Sequence, residues 1–125
     1  MDQRKKVLLA DASEEFRTLL REEMEKTGEF SVDIARDGTE ALQKAEETGP
    51  DLLVMDVMLS GMDGISVLRQ LQKQGEAPMT ILISGFVSER MLMEATELGA
   101  AYFLPKPFDV PTLLDKMQGL ILTAP

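Results

Sequence analysis

Leu52-Leu53-Val54-Met55-Asp56 is an unbroken apolar run closed by an acid. A strand with one face in water alternates polar and apolar residues, so a run that is apolar throughout belongs to a strand covered on both faces. The same form recurs at Val7-Leu8-Leu9-Ala10, closed by Asp11, and at Thr80-Ile81-Leu82-Ile83, closed by Ser84. Between these runs the period changes. Phe16, Leu19, Leu20 and Met24 fall at helical spacing among charged residues, Thr39–Glu47 and Gly64–Lys73 read as helices, and another lies near Ser88–Leu98. Val110, Leu113, Leu114, Met117 and Ile121 stripe a last helix, while Phe30–Ala35 and Tyr102-Phe103-Leu104 read as two further strands. Five β-α units result.

Doubly covered strands separated by helices form a parallel sheet with right-handed crossovers. Phe30-Ser31-Val32-Asp33-Ile34 alternates instead and leads to the turn-prone Asp37-Gly38, which suits an edge strand. Pro105 has no amide donor and puts the fifth strand at the other edge. The order satisfying both is 2-1-3-4-5, an α/β flavodoxin-like (βα)5 three-layer sandwich. Ligands of such sheets bind at the carboxyl ends of the strands. Asp11, Asp56, Ser84 and Lys106 end neighbouring strands in that order, so all four are expected to meet in one crevice.

The 125 residues are 44% hydrophobic and 28% charged, within the range of one globular domain, and no repeat or low-complexity tract divides residues 1–125. Acids outnumber bases 22 to 13, giving a net charge of -9. A field of that sign repels phosphate backbones and anionic lipid, so neither nucleic acid nor membrane is an expected direct partner. No apolar run approaches the ~20 residues that span a bilayer. Met1-Asp2-Gln3-Arg4-Lys5-Lys6 lacks the form of a signal peptide, and a cytoplasmic protein is expected. With no cysteine and no histidine, thiolate and imidazole chemistry are excluded. Carboxylates, hydroxyls and lysine remain.

Ser84 has no adjacent base to activate it, so these residues make no hydrolase triad. A carboxylate can itself attack phosphorus to give an acyl phosphate. It needs a hard cation on oxygen ligands, a fixed positive charge and a short hydroxyl donor. Taken singly, an Asp after a strand commonly caps a helix and a Lys-Pro pair is commonly a loop. Recurrence at four strand ends favours a shared site.

From about Lys6 to Met117 the chain resembles the CheY-like receiver domain of two-component response regulators. The resemblance rests on Val7-Leu8-Leu9-Ala10-Asp11, Asp51-Leu52-Leu53-Val54-Met55-Asp56, Met62-Asp63-Gly64, Ile83-Ser84-Gly85 and the stretch from Leu98 to Phe108 with Lys106-Pro107. Within the family it looks most like receivers of the sporulation type in Gram-positive spore formers. The resemblance implies that Asp56 is the phosphoacceptor, taking a phosphoryl group from a histidine kinase or histidine phosphotransfer protein. It further implies that Asp11, Asp56 and the backbone carbonyl of Met58 hold Mg2+, and that Lys106 ion-pairs with the phosphoryl group across a cis Lys106-Pro107 bond. Ser84 would turn to the phosphoryl oxygens and Phe103 would follow it, changing the face made by the fourth helix, fifth strand and fifth helix. A DNA-binding output domain outside this chain and a phosphorylation-dependent homodimer are the other implied partners.

Two positions depart from the family pattern. A second acid usually follows the first strand as the direct magnesium ligand, and Ala12 stands there. Fewer anionic ligands imply weaker Mg2+ binding, so that phosphorylation needs more of the ion or fails. Glu14 or Glu15 could substitute, although acids solvated in a helix's first turn are the plainer reading. Ser60 replaces a usual loop proline. Met58 and Phe86, two residues beyond Asp56 and Ser84, occupy positions that govern water access in the family; both being apolar implies slow self-hydrolysis, with simple loop packing as the alternative. Met91 and Met93 offer either an adaptable surface beside Phe103 or core filler. Asp63 is expected only to shape a turn with Gly64. An aspartyl phosphatase would need an acid where Met58 stands, and a flavin site would need a Ser/Thr/Gly-rich loop after the first strand, so no enzyme is expected. The competing reading is a pseudo-receiver that binds partners without phosphorylation because Ala12 disables the metal site.

Overall fold

A computed structural model describes residues 3–123, excluding the side chain of Thr123. Strands and helices alternate as β1 (Lys5–Ala10), α1 (Glu14–Lys26), β2 (Phe30–Ala35), α2 (Gly38–Thr48), β3 (Leu52–Asp56), α3 (Gly64–Lys73), β4 (Met79–Ser84), α4 (Glu89–Glu97), β5 (Tyr102–Pro105) and α5 (Val110–Thr123). The strands form one parallel sheet in the order β2-β1-β3-β4-β5. The alternating strand and the proline-bearing strand are at the two edges, as the sequence implies.

The central strands are apolar through Val7–Ala10, Leu52–Met55 and Ile81–Ile83 because their two faces fill two cores. Leu8, Ala10, Leu53, Met55 and Leu82 pack with Ala41 and Ala45 of α2, Val67, Leu68 and Leu71 of α3 and Ala95 of α4. Their chain neighbours Val7, Leu9, Leu52, Val54, Ile81 and Ile83 pack on the other face with Leu20 and Met24 of α1 and Leu113 and Met117 of α5. Fully burying one such side chain stabilises the fold by roughly 1.5–3 kcal/mol.

All five helices begin at a residue whose side chain accepts the backbone N–H three positions on. These pairs are Ser13 with Phe16, Asp37 with Glu40, Asp63 with Ser66, Ser88 with Met91 and Asp109 with Thr112. Asp63 is therefore the turn residue expected. α1 departs from its expected stripe. Leu19 is 49% exposed, whereas Arg17 is buried in line with Leu20 and Met24. Residues 17, 20 and 24 share one helical face, and Leu19 is rotated off it.

Candidate functional site

The sheet order sets β1, β3, β4 and β5 side by side, and Ala10 pairs with Met55, Asp56 with Ile83 and Ser84 with Pro105. That register brings the following residues of β1, the last of β3 and the residue after β5 to one rim. Lys106 Nζ donates to Asp56 Oδ2 at 2.7 Å and to Asp11 Oδ2 at 3.1 Å. Each carboxylate turns its other oxygen to the backbone: Asp56 Oδ1 accepts from Met58 N at 2.8 Å, and Asp11 Oδ1 from Ser13 N at 2.9 Å. Both acids are buried, and the ammonium between them joins two groups that would otherwise repel.

Burial raises the Asp11 carboxyl above its ordinary value, outweighing the Ser13 amide and the Lys106 ammonium, which act to lower it. Burial also acts to lower the Lys106 ammonium, but hydrogen bonds to Asp56 and Asp11 reverse this and hold it above the ordinary lysine value. The Lys106-Pro107 peptide bond is cis, as the resemblance implies.

Ser84 ends the neighbouring strand but does not join the three charged groups. Its buried hydroxyl donates to the Phe86 carbonyl at 2.5 Å and accepts from the Phe86 amide at 3.1 Å, facing its own loop. Phe103 is half-buried and packs against the same core as Met91. Met93, Met58 and Phe86 are all about two-thirds exposed, so loop packing does not account for the last two.

Three residues that sequence reasoning gave no role shape the rim. Phe16 lies under Lys106 Nζ, 4.4 Å from ring centroid to nitrogen, and meets Phe108 edge-on at 5.9 Å. Ser13 fixes the Asp11 carboxylate through its amide. Arg17 Nη1 donates to the Asp11 backbone carbonyl at 2.6 Å. Phe16 and Arg17 fall within the helical pattern and carry no spacing of their own that marks them.

The oxygen donors available to a hard cation are the Asp11 and Asp56 carboxylates and the Met58 carbonyl. No third acid joins the pair among the described residues. Glu14 instead lines a separate cleft with Arg17 and Arg21, and Ala12 contributes only a methyl group. Magnesium keeps several waters and is commonly held by one or two carboxylates, so the set fits the ion with one anionic ligand fewer than the family pattern.

This parallel sheet, with an acid pair and a lysine at its carboxyl rim, is the architecture of a CheY-like receiver. The chain belongs to the response regulator receiver domain family, which it matches over residues 7–118. It is 41% identical over 117 residues to the alkaline phosphatase synthesis transcriptional regulatory protein PhoP of Bacillus subtilis, covering 94% of this chain and 48% of that protein. The chain thus spans about half the length of the curated relatives it matches. The receiver domain of the Francisella response regulator 1452 superposes with a TM-score of 0.87 at 31% identity, covering 94% of this chain and 96% of that one. TrrA of Thermotoga maritima, a response regulator solved in complex with Mg2+ and BeF, gives 0.82 at 28% identity, covering 93% and 98%. These relatives lend no support to the narrower likeness to sporulation-type receivers.

Proposed function

We propose that residues 1–125 form one receiver domain that acts as a phosphoacceptor switch in a two-component phosphorelay. The observation that carries this is the Lys106 ammonium bridging Asp56 and Asp11 at a buried rim. Asp56 is the acceptor. A carboxylate oxygen attacks the phosphorus of a phosphohistidine on a kinase or phosphotransfer protein; the P–N bond breaks, a P–O bond forms, and the leaving imidazole takes up a proton. Lys106 holds its charge beside the incoming phosphoryl oxygens. Asp11, Asp56 and the Met58 carbonyl hold Mg2+, which when bound neutralises charge on the transferred oxygens.

The Ser84 hydroxyl then exchanges the Phe86 backbone for a phosphoryl oxygen, and Phe103 moves toward the space it leaves. The face of α4, β5 and α5 changes, and a DNA-binding output domain or a second receiver reads the change. The PhoP relative is a transcriptional regulator, which supports that output. Among the described residues no helix is long and apolar enough to cross a membrane, and a phosphorelay from a kinase puts the domain in the cytoplasm. The domain is not itself an enzyme: it accepts one group and returns it to water slowly, with Met58 and Phe86 as apolar side chains near the entrance.

Ala12 supports a second reading, in which the same fold serves as a pseudo-receiver that binds partners unphosphorylated. The two separate on incubation with a small acyl phosphate over a magnesium titration, read by intact mass. Gain of one phosphoryl group by the native chain and none by Asp56→Asn supports the switch. No gain by the native chain at any magnesium concentration, with gain restored in Ala12→Asp, establishes the pseudo-receiver.

A further inference from the structure

A cleft of about 330 Å³ lies along the β2 edge between α1 and α2, away from the Lys106 rim. Four cations line it, Arg17 and Arg21 of α1, Arg36 after β2 and Lys44 of α2, against two acids, Glu14 and Glu40. This balance is opposite to the net charge of -9 on the whole chain. Glu40 is already engaged, 3.2 Å from Arg36 and 3.9 Å from Lys44, while Lys44 pairs with Asp33 at 3.4 Å and Arg21 with Glu25 at 3.4 Å, both outside the cleft. Arg17 is not matched in this way. It is only 6% exposed, its Nη1 is spent on a neutral carbonyl, and its buried Nε has no hydrogen-bond partner among the described residues. No carboxylate pairs with it among those residues, although a buried guanidinium is a permanent cation whose desolvation calls for an anion.

We propose that this cleft binds a small multivalent oxyanion of the phosphoryl class, with Arg17 at its floor and Arg21 and Arg36 at its mouth. The volume lies at the lower end of the range for small-molecule pockets, enough for a diphosphate group. Guanidinium groups suit it because their paired N–H donors match phosphoryl oxygens two at a time. Glu14 on the same wall opposes the ligand and limits its affinity. The site shares no side chain with the acid pair, but Arg17 Nη1 holds the carbonyl of Asp11, so an occupant lies one side chain from it.

Amide NMR titration with pyrophosphate, in EDTA and at constant ionic strength, tests this. The expected result is saturable shifts centred on residues 14–21 and 34–44. Arg21→Gln and Arg36→Gln each weaken binding roughly 10-fold through loss of a charge-assisted contact, and Glu14→Gln tightens it. Both replaced arginines are exposed side chains, so thermal melts are expected to show the variants folded. Shifts without saturation, shifts centred on Asp56 and Lys106, or affinities unmoved by all three variants overturn the proposal and leave Arg17 as a clamp on Asp11 alone.

Discussion

Lys106 is the residue on which the rim depends, since among the described residues it alone bridges the two buried carboxylates. Lys106→Met leaves like charges facing each other without a counter-ion and is expected to cost about 1–3 kcal/mol by urea denaturation, short of the value for a fully buried pair because the ammonium is partly solvated. An unchanged midpoint would show that the pair is not coupled to folding. Asp11 carries a pH signature. Its folded-state value is raised above the ordinary 3.8, so the unfolded chain releases its proton first as pH rises. The contribution of Asp11 to stability therefore falls from about 3.8 up through its folded value, and Asp11→Asn escapes that loss. Melts in EDTA are expected to show the stability of the variant rising relative to that of the native protein as pH rises through this window; a relative fall would refute the assignment. At this scale Asp11 and Asp56 were legible because each closes a run that is apolar on both faces, and Lys106 because it follows the fifth strand in the expected order. Phe16 and Arg17 were not, because both sit inside an amphipathic helical pattern. The direction of the Ser84 hydroxyl is a rotamer choice, which composition and spacing do not encode.

Among the elements, α3 begins directly against the backbone of Asp56. A Cβ on Gly64 would stand 2.5 Å from the Asp56 carbonyl oxygen and 3.0 Å from Val57 Cα, so the helix can begin there only without a side chain. Gly64→Ala is expected to cost about 1–3 kcal/mol by forcing backbone apart, as overpacking does. It should also lower phosphorylation of Asp56, read by intact mass; full stability and full phosphorylation would show that the loop yields freely. The bounds of α3 and β2 agree with the sequence because Asp63 caps the one and turn residues flank the other. β1 starts two residues before its apolar run. Lys5 and Lys6 pair with Phe30 and Ser31, and exposed lysines in a ladder look like loop in a sequence. The α1 stripe was misjudged at Leu19 because a buried Arg17 counted as polar surface.

For the molecule as a whole, topology followed from two exceptions to an otherwise uniform pattern, the alternating β2 and the proline in β5, each of which belongs at an edge. The proposed metal site is where sequence and fold pull apart, since the receiver architecture is intact while Ala12 offers a methyl group where the family pattern has an acid. Magnesium binding stabilises the folded state by an amount that grows with the logarithm of its affinity. Added magnesium is therefore expected to raise the melting temperature of Ala12→Asp more than that of the native chain, and equal shifts would mean that position 12 takes no part. The most direct measurement is chemical: treat the chain with acetyl phosphate and magnesium, reduce with borohydride, and sequence the peptides by mass spectrometry. Reduction turns a phosphorylated aspartate into homoserine, and homoserine is expected at position 56 alone. Unmodified Asp56 at every magnesium concentration, or homoserine at position 11 instead, would contradict the assignment of Asp56 as the acceptor.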